Sequence, residues 1–338
     1  MPELQTSLKE KLARENNLSG CDVIITSGAN QAYMNCVLTL MSEGDLCVLF
    51  TPFYFNHYMA VQMTRGDEAL LAGPIDDDGC PSIAWLKEKF ESEEGNRIKM
   101  VTIVNPGNPT GVSIPTKKLQ NIVEICQEYG AWVIFDATYE QFDHIGANTF
   151  PILNSDGSAS GEYGFHCFND EHVITIFSFS KGYAMAGFRV GYVAMNTQSE
   201  MGKTTYDQMV KVQDTIPICT SQISQYAALG ALKAGRGWVD KKVKTLDTGR
   251  QAILNALSPL ETSIGGTGAM YVMGKLPEGE DDMVFSERLI EKFGIAVIPG
   301  SFCGFPGWIR VCYSNLPTKE CLKAASRLKN GIKELCSK

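Results

Sequence analysis

What most constrains this chain is a recurring unit: a short apolar run, then a loop rich in Gly, Pro or Asn, then an amphipathic helix. The runs are Asp22–Thr26 (DVIIT), Leu46–Phe50 (LCVLF), Met100–Val104 (MVTIV), Trp132–Phe135 (WVIF), Val173–Phe177 (VITIF) and Val190–Ala194. Runs so uniformly apolar read as strands buried on both faces, the mark of a mostly parallel sheet. Strand and helix in alternation predict an α/β fold, a mostly parallel central sheet with helices on both faces. Helices are expected at about Glu3–Asn16, Gln31–Met41, up to Val61, over 82–92, at about Thr116–Tyr129 and over most of 198–232. Residues 144–170, rich in Gly, Ser, Asn and Asp, read as an irregular excursion.

Near Gly235 the order changes. Val239, Val243, Leu246, Ile253 and Leu257 keep helical spacing and predict one long helix over Trp238–Leu257. A strand (Ala269–Met273), a helix (Asp282–Phe293), two strands (Ile295–Ile298, Ile309–Tyr313) and a last helix (Thr318–Cys336) follow. That is the pattern of a smaller α+β C-terminal domain. The expected division is a large domain over 17–235 and a small one over 236–338, with 1–16 packing near the latter. A chain of 338 residues is long enough for two such cores.

Composition excludes several classes of function. A net charge of −8 and a pI of about 5.2 leave no basic stripe for nucleic acid and argue against an anionic membrane. No run approaches the ~18 apolar residues of a spanning helix, and the N-terminus lacks a signal-like apolar segment. The 11 Cys include no C-x-x-C pair, so they read as buried thiols of a reducing compartment, expected to be the cytoplasm. His57, His144, His166 and His172 show no metal-ligand spacing, and no metal is expected. The stretch from Gly268 to Gly274-Lys275 imitates a phosphate-binding loop, but its spacing is too long and Leu276 stands where Ser or Thr is needed.

Ligands of open α/β sheets bind beyond the carboxyl ends of the strands. Several expected strand ends hold unusual residues. Lys181 follows VITIF in the frame Ser178-Phe179-Ser180-Lys181, with Gly182, Gly187 and Arg189 after it. A lone lysine there is most often solvated. Desolvated beside Arg189, its ammonium would lose its proton more easily, which a Schiff-base lysine requires. Ser178 and Arg189 could then hold a phosphate. Asp136 closes WVIF, where a buried carboxylate needs a partner such as a pyridinium N–H, unless it merely caps a turn. Tyr139 could face the same cavity. Asn105-Pro106-Gly107-Asn108-Pro109-Thr110-Gly111 places two Asn-Pro steps straight after a strand, which is more than a plain turn needs. Ser27-Gly28-Ala29-Asn30 opens a helix with small residues whose N–H groups suit a phosphate, though as a helix cap it would be ordinary. Arg310, inside WIRVCYS, either meets a substrate carboxylate or faces solvent from an edge strand.

Taken in order, TSGANQAY, TPFYFNHY, NPGNPTG, FDATYE, SFSKGYAMAGFRVGY, IPGSFCG and WIRVCYS resemble the class I/II aminotransferases, pyridoxal 5′-phosphate enzymes of fold type I. The likeness spans essentially the whole chain. Its wording in PELQTSLKEKLARENNL and KVQDTIPICTSQISQ is nearest to the plant-type aromatic and methionine aminotransferases. The resemblance implies that Lys181 holds the cofactor covalently and shuttles the proton, and that Asp136 keeps the pyridine nitrogen protonated. It implies that Tyr139 and Asn108 bond the phenolic oxygen and that Tyr54 stacks on the ring. Ser178, Arg189 and the loop of Gly28, Ala29 and Asn30 would hold the phosphate, and Arg310, with Asn108, the substrate carboxylate.

The expected activity is therefore ping-pong amino transfer from an aromatic or methionine-like amino acid to a 2-oxo acid, by a homodimer with its active sites at the interface. The aromatic preference rests on Tyr54, Phe55, Tyr139 and Phe142 near the motifs and on the lack of a further arginine in a motif. Family members usually have an additional N-terminal segment with a lid and a tyrosine for the neighbouring subunit. Met1 here stands at the helix after it, so a shortened sequence or a lid-less protein is expected. A lyase or synthase on the same scaffold and a weakly active cofactor-binding protein are the alternatives.

Overall fold

The computed structural model describes residues 1–337. In chain order the first elements are α1 (Pro2–Glu15), β1 (Cys21–Thr26), α2 (Ala29–Leu40), β2 (Leu46–Phe50), α3 (Phe55–Arg65), β3 (Leu70–Gly73), α4 (Ile83–Glu91) and β4 (Ile98–Val104). Next come α5 (Thr116–Glu128), β5 (Trp132–Asp136), β6 (Thr149–Leu153), β7 (Ala159–Phe165), β8 (Val173–Ser178) and β9 (Gly191–Asn196). Helices α6 (Glu200–Thr215), α7 (Gln222–Ala234), α8 (Arg236–Lys244) and α9 (Asp247–Ala256) follow, then β10 (Ser263–Gly265), β11 (Tyr271–Lys275), α10 (Asp282–Phe293), β12 (Ile298–Pro299), β13 (Trp308–Cys312) and α11 (Thr318–Cys336).

The main sheet runs β1-β9-β8-β5-β4-β2-β3. Its pairs β2–β3, β2–β4, β4–β5 and β5–β8 are parallel, and only β9 runs against its neighbours. Leu119, Ile122, Val123 and Cys126 of α5 recur at helical spacing and bury one face against this sheet. On the other face, Ala32, Tyr33, Cys36 and Val37 of α2 pack over Ile134, Ile174 and Val193. The second sheet, β10-β11-β13-β12, is antiparallel, and α9, α10 and α11 cover it with Ile253, Leu289 and Leu328.

Three expectations are corrected. The excursion over 144–170 contains a hairpin, β6–β7, paired from Thr149↔Phe165 to Leu153↔Ala159. Its Gly and Ser hid the alternation that a two-stranded ribbon needs. The long helix over Trp238–Leu257 is two helices, α8 and α9, separated at Thr245 and Leu246. Both junction residues keep right-handed helical angles, so the apolar spacing passes through the break undisturbed. The opening helix buries Leu4, Leu8 and Leu12 with Val23, Phe177 and Tyr192 of the main sheet, whereas it was expected beside the small domain.

Candidate active site

Strands β4, β5 and β8 end at Val104, Asp136 and Ser178, and all three residues line one polar cavity of about 130 Å³. Ala29, Asn30, Tyr54, Asn108, Tyr139, Lys181 and Arg189 complete most of the remaining wall. Gly28 and Arg310 stand just outside it, each bonded or packed against a residue that lines it. The sequence-predicted residues are thus brought to a single hollow at the carboxyl edge of the sheet.

At one end is Asp136, 4% exposed. Its Oδ1 accepts the Thr138 amide at 3.0 Å, and His57 Nε2 lies 3.2 Å from Oδ2. Burial alone would push this carboxyl up. The hydrogen bond and charge of His57, joined by the Thr138 amide, overcome that and hold it below its usual range. His57 is itself fixed by stacking on Tyr33, with centroids 4.0 Å apart, and by edge contact with Tyr54 at 5.2 Å. His57 lies in the first turn of α3, and its two ring contacts come from α2 and from the residue that caps α3. Across the cavity, the Lys181 amine is shifted downward, first by burial, with Arg310 and Arg189 adding to it against the opposing pull of Cys312.

At the other end the chain makes an anion cradle. Gly28 caps α2 at φ +87°, an angle that disfavours any side chain, and a Cβ there would fall 2.3 Å from Arg189 Nη2. Glycine therefore lets the guanidinium lie over the helix N-terminus. Arg189 itself is left-handed (φ 54°, ψ 57°), and its guanidinium donates to the carbonyls of Ala186 at 2.9 Å and Ser27 at 3.4 Å. Ser178 Oγ accepts the Ser180 amide at 3.1 Å, which gathers hydroxyls beside it.

The third side joins the two sheets. Arg310 Nη1 donates to Asn108 Oδ1 at 2.8 Å, and Asn108 Nδ2 donates to the Tyr139 hydroxyl at 3.4 Å. Tyr139 and Tyr271 share a hydroxyl hydrogen bond of 2.8 Å, and the Arg310 guanidinium lies 4.6 Å from the Tyr271 ring centroid. Strand β13 is flanked by β11 and β12, so Arg310 is not on an edge strand. In the NPGNPTG loop Asn105 Oδ1 accepts the Ile114 amide at 2.8 Å, leaving Asn108 to face the cavity. The two asparagines have separate tasks.

Sequence reasoning missed His57, Thr138, Ser180 and Tyr271. His57 had a signal: it sits three residues after Tyr54, one helical turn along the same face. Tyr271 had none, because the contact crosses between sheets. The cavity, with its basic cradle, low-lying amine and buried carboxylate, matches the phosphate, aldehyde and pyridine nitrogen of pyridoxal phosphate. Among the described residues the buried Thr138 hydroxyl finds no hydrogen-bond partner, which leaves a donor or acceptor free at the same wall.

The sequence profile of the family described as aminotransferase class I and II matches residues 1–328. Aromatic aminotransferase ISS1 of Arabidopsis thaliana is 42% identical, over 99% of this chain and 81% of that protein. An aspartate aminotransferase of Pyrococcus abyssi is 27% identical, over 99% of this chain and 82% of its own length. Among solved structures, the aromatic aminotransferase of Pyrococcus horikoshii superposes with a TM-score of 0.83 at 27% identity, covering 99% of this chain and 86% of that one. The chain belongs to the class I and II aminotransferases, the pyridoxal-phosphate enzymes of fold type I.

Proposed function

We propose that this aminotransferase takes an aromatic or methionine-like amino acid as donor and a 2-oxo acid as acceptor. The observation that supports it most is the convergence of Lys181, Asp136 and the Arg310–Asn108 pair on one hollow, in a chain 42% identical to an aromatic aminotransferase. Bound pyridoxal phosphate supplies the electron sink that makes an α-proton acidic. Asp136, held ionised, would keep a proton on the pyridine nitrogen. Ser178, Arg189 and the backbone at Gly28, Ala29 and Asn30 would hold the phosphate, with Tyr54 beside the ring. Asn108 and Tyr139 would hydrogen-bond the phenolic oxygen. Arg310 takes the substrate α-carboxylate by its planar fork, turning the Cα–H bond toward Lys181. Lys181, more readily neutral than a free lysine, accepts that proton and returns it.

The donor preference draws on the cavity wall. Arg189 and the adjoining Arg310 are both committed, and among the described residues no third arginine lines the cavity to take a side-chain carboxylate. Of the rings expected near the mouth, Phe142 is buried in the small-domain core and Phe55 packs 5.0 Å from Tyr54. Tyr54 and Tyr139 remain at the wall. A half-reaction screen tests the reading: each amino acid is mixed with holoenzyme and the loss of the lysine-bound absorbance is timed. Phenylalanine, tyrosine, tryptophan and methionine should react at least about tenfold faster than aspartate or glutamate, the discrimination a few apolar contacts provide. Faster reaction with aspartate would overturn the preference.

We also propose a homodimer with its active sites near the interface. Ile216, Ile218, Ile223 and Tyr226 expose 58–78% of their surface in one stretch, and Thr220 Oγ1 within it lies 3.3 Å from Ser27 Oγ beside the phosphate cradle. Light scattering measures the mass directly. No helix among the described residues is long and apolar enough to cross a membrane. Eleven free cysteines, most of them buried, support a reducing location such as the cytoplasm.

A further inference from the structure

Behind the Asp136–Tyr139 turn, away from the cavity, the next two residues enter a closed polar cluster. Glu140 accepts Lys11 Nζ at 2.5 and 2.7 Å, Asn16 Nδ2 at 2.6 Å and Gln141 Nε2 at 2.9 Å. Lys11 Nζ also donates to Asn16 Oδ1 at 2.7 Å and lies 4.9 Å from the Phe177 ring centroid. Glu140 and Lys11 are 4% and 5% exposed, so neither charge is relieved by water.

The cluster touches the segments that bear Tyr139, Ser178 and Lys181. Glu140 follows Tyr139 directly, and Phe177 precedes Ser178. The Gln141 carboxamide meets Gly182, the residue after Lys181: a Cβ on Gly182 would fall 2.4 Å from Gln141 Oε1. Among the described residues nothing donates to that buried oxygen, although an unpaired buried acceptor is costly. A carboxamide wanted only for stability would be better placed elsewhere. Here its Nε2 is fixed by Glu140, so its oxygen is held hard against the lysine-bearing backbone.

We infer that Lys11, Glu140 and Gln141 form a positioning device, in which an ion pair from the opening helix sets the backbone under Lys181 and the aim of its amine. The inference rests on the reading of Lys181 as the residue that holds the cofactor. Gly182 is small because Gln141 occupies its side-chain space. None of the three residues lines the cavity, so each acts through another. Positioning errors at a reacting centre are expensive, since about 1 Å can cost up to ~10²-fold in rate.

The test compares holoenzyme variants matched for stability. Gln141→Leu removes the polar contact and keeps the ion pair, and Lys11→Met with Glu140→Gln neutralises the pair together. Asp282→Asn, which weakens the Asp282–Ser301 contacts at 2.7–3.0 Å in the small domain, is the stability control. The inference expects Gln141→Leu to lower kcat about tenfold with KM within about twofold, and to move the pH midpoint of the lysine-bound absorbance, by misplacing the amine. The control should change neither readout, and Lys11→Arg, which keeps the ion pair, should retain most of what the paired neutral variant loses. If Gln141→Leu does not fold, the paired neutral variant is read in its place. An unchanged midpoint and kcat in a folded variant overturn the positioning role. Should Lys181→Ala retain the bound-cofactor band, the cofactor reading itself fails, which is a separate result.

Discussion

Asp136, the last residue of β5, and Glu140, in the turn that follows it, are buried carboxylates, each 4% exposed, and they differ in how fully they are satisfied. Glu140 is surrounded by an ammonium and two carboxamides and points away from the cavity. Asp136 has one amide and one imidazole and lines the cavity, with acceptor capacity to spare. A carboxylate has about four lone-pair sites. Saturating them makes a strut; leaving some open toward a hollow makes a partner for a ligand. The difference separates holding the site from forming it, within one turn.

The comparison predicts opposite failures. Glu140→Ala leaves the Lys11 charge buried without its carboxylate and should destabilise the fold by about 3–5 kcal/mol. Urea unfolding checks this, and a loss under about 1 kcal/mol would break the contrast. Asp136→Asn, which keeps the shape and loses only the charge facing His57, should instead cost the fold less than Glu140→Ala while lowering kcat/KM on the order of 10²–10³-fold, the usual scale for one electrostatic contact at a reacting centre. Steady-state kinetics beside a melting curve separates the two outcomes.

Those two roles were unevenly legible in the sequence. Asp136 could be found because a charge ending WVIF is conspicuous, and Lys181 because glycines and hydroxyls frame it. The buried parallel strands were legible for the same reason, as apolar runs need no alternation. Glu140 gave no such signal. One Glu among 38 acidic residues is ordinary, and its partner Lys11 sits on a helix whose polar face reads as solvated. Pairings of that sequence separation depend on how α1 docks. Likewise the β6–β7 hairpin, built from residues such as Ser160, Gly161 and Gly164, has propensities that favour a loop and is held by its pairing and by Phe165 in the core.

A milder variant sharpens the Asp136 half of the contrast. With His57→Phe, burial dominates and the Asp136 carboxyl should rise. Asp136 lies below its usual value in the native protein, so its contribution is present at higher pH and lost as pH falls through the native value. Raising that value moves the loss upward. The acid limb of kcat/KM should shift to higher pH, with about a tenfold loss near neutrality for the missing hydrogen bond to a charged group. An unmoved limb would mean that Thr138 and the cavity alone hold the charge. Gly28→Ala should act at the other end, displacing the Arg189 guanidinium and weakening cofactor affinity about tenfold, as one charge-assisted contact predicts. Equilibrium dialysis measures it.

The smallest effect tests whether the site, unlike the strut, is held at a cost. Burial and two guanidinium groups lower the Lys181 amine, so folding opposes its protonation. Between that lowered value and the ~10.4 of a free lysine the unfolded chain binds more protons, and stability rises with pH. Below both values the penalty is present in full. Lys181→Met removes it, so the cofactor-free variant should melt above the cofactor-free parent at neutral pH. Their difference should narrow as pH climbs toward the free-lysine value. Solvent screening of a partly exposed amine keeps the gain to on the order of 1 °C. A cofactor-free Lys181→Met protein that melts lower than its parent at every pH would show that the amine contributes to stability as Lys11 does, and the distinction between the two faces of the turn would not extend to the lysine.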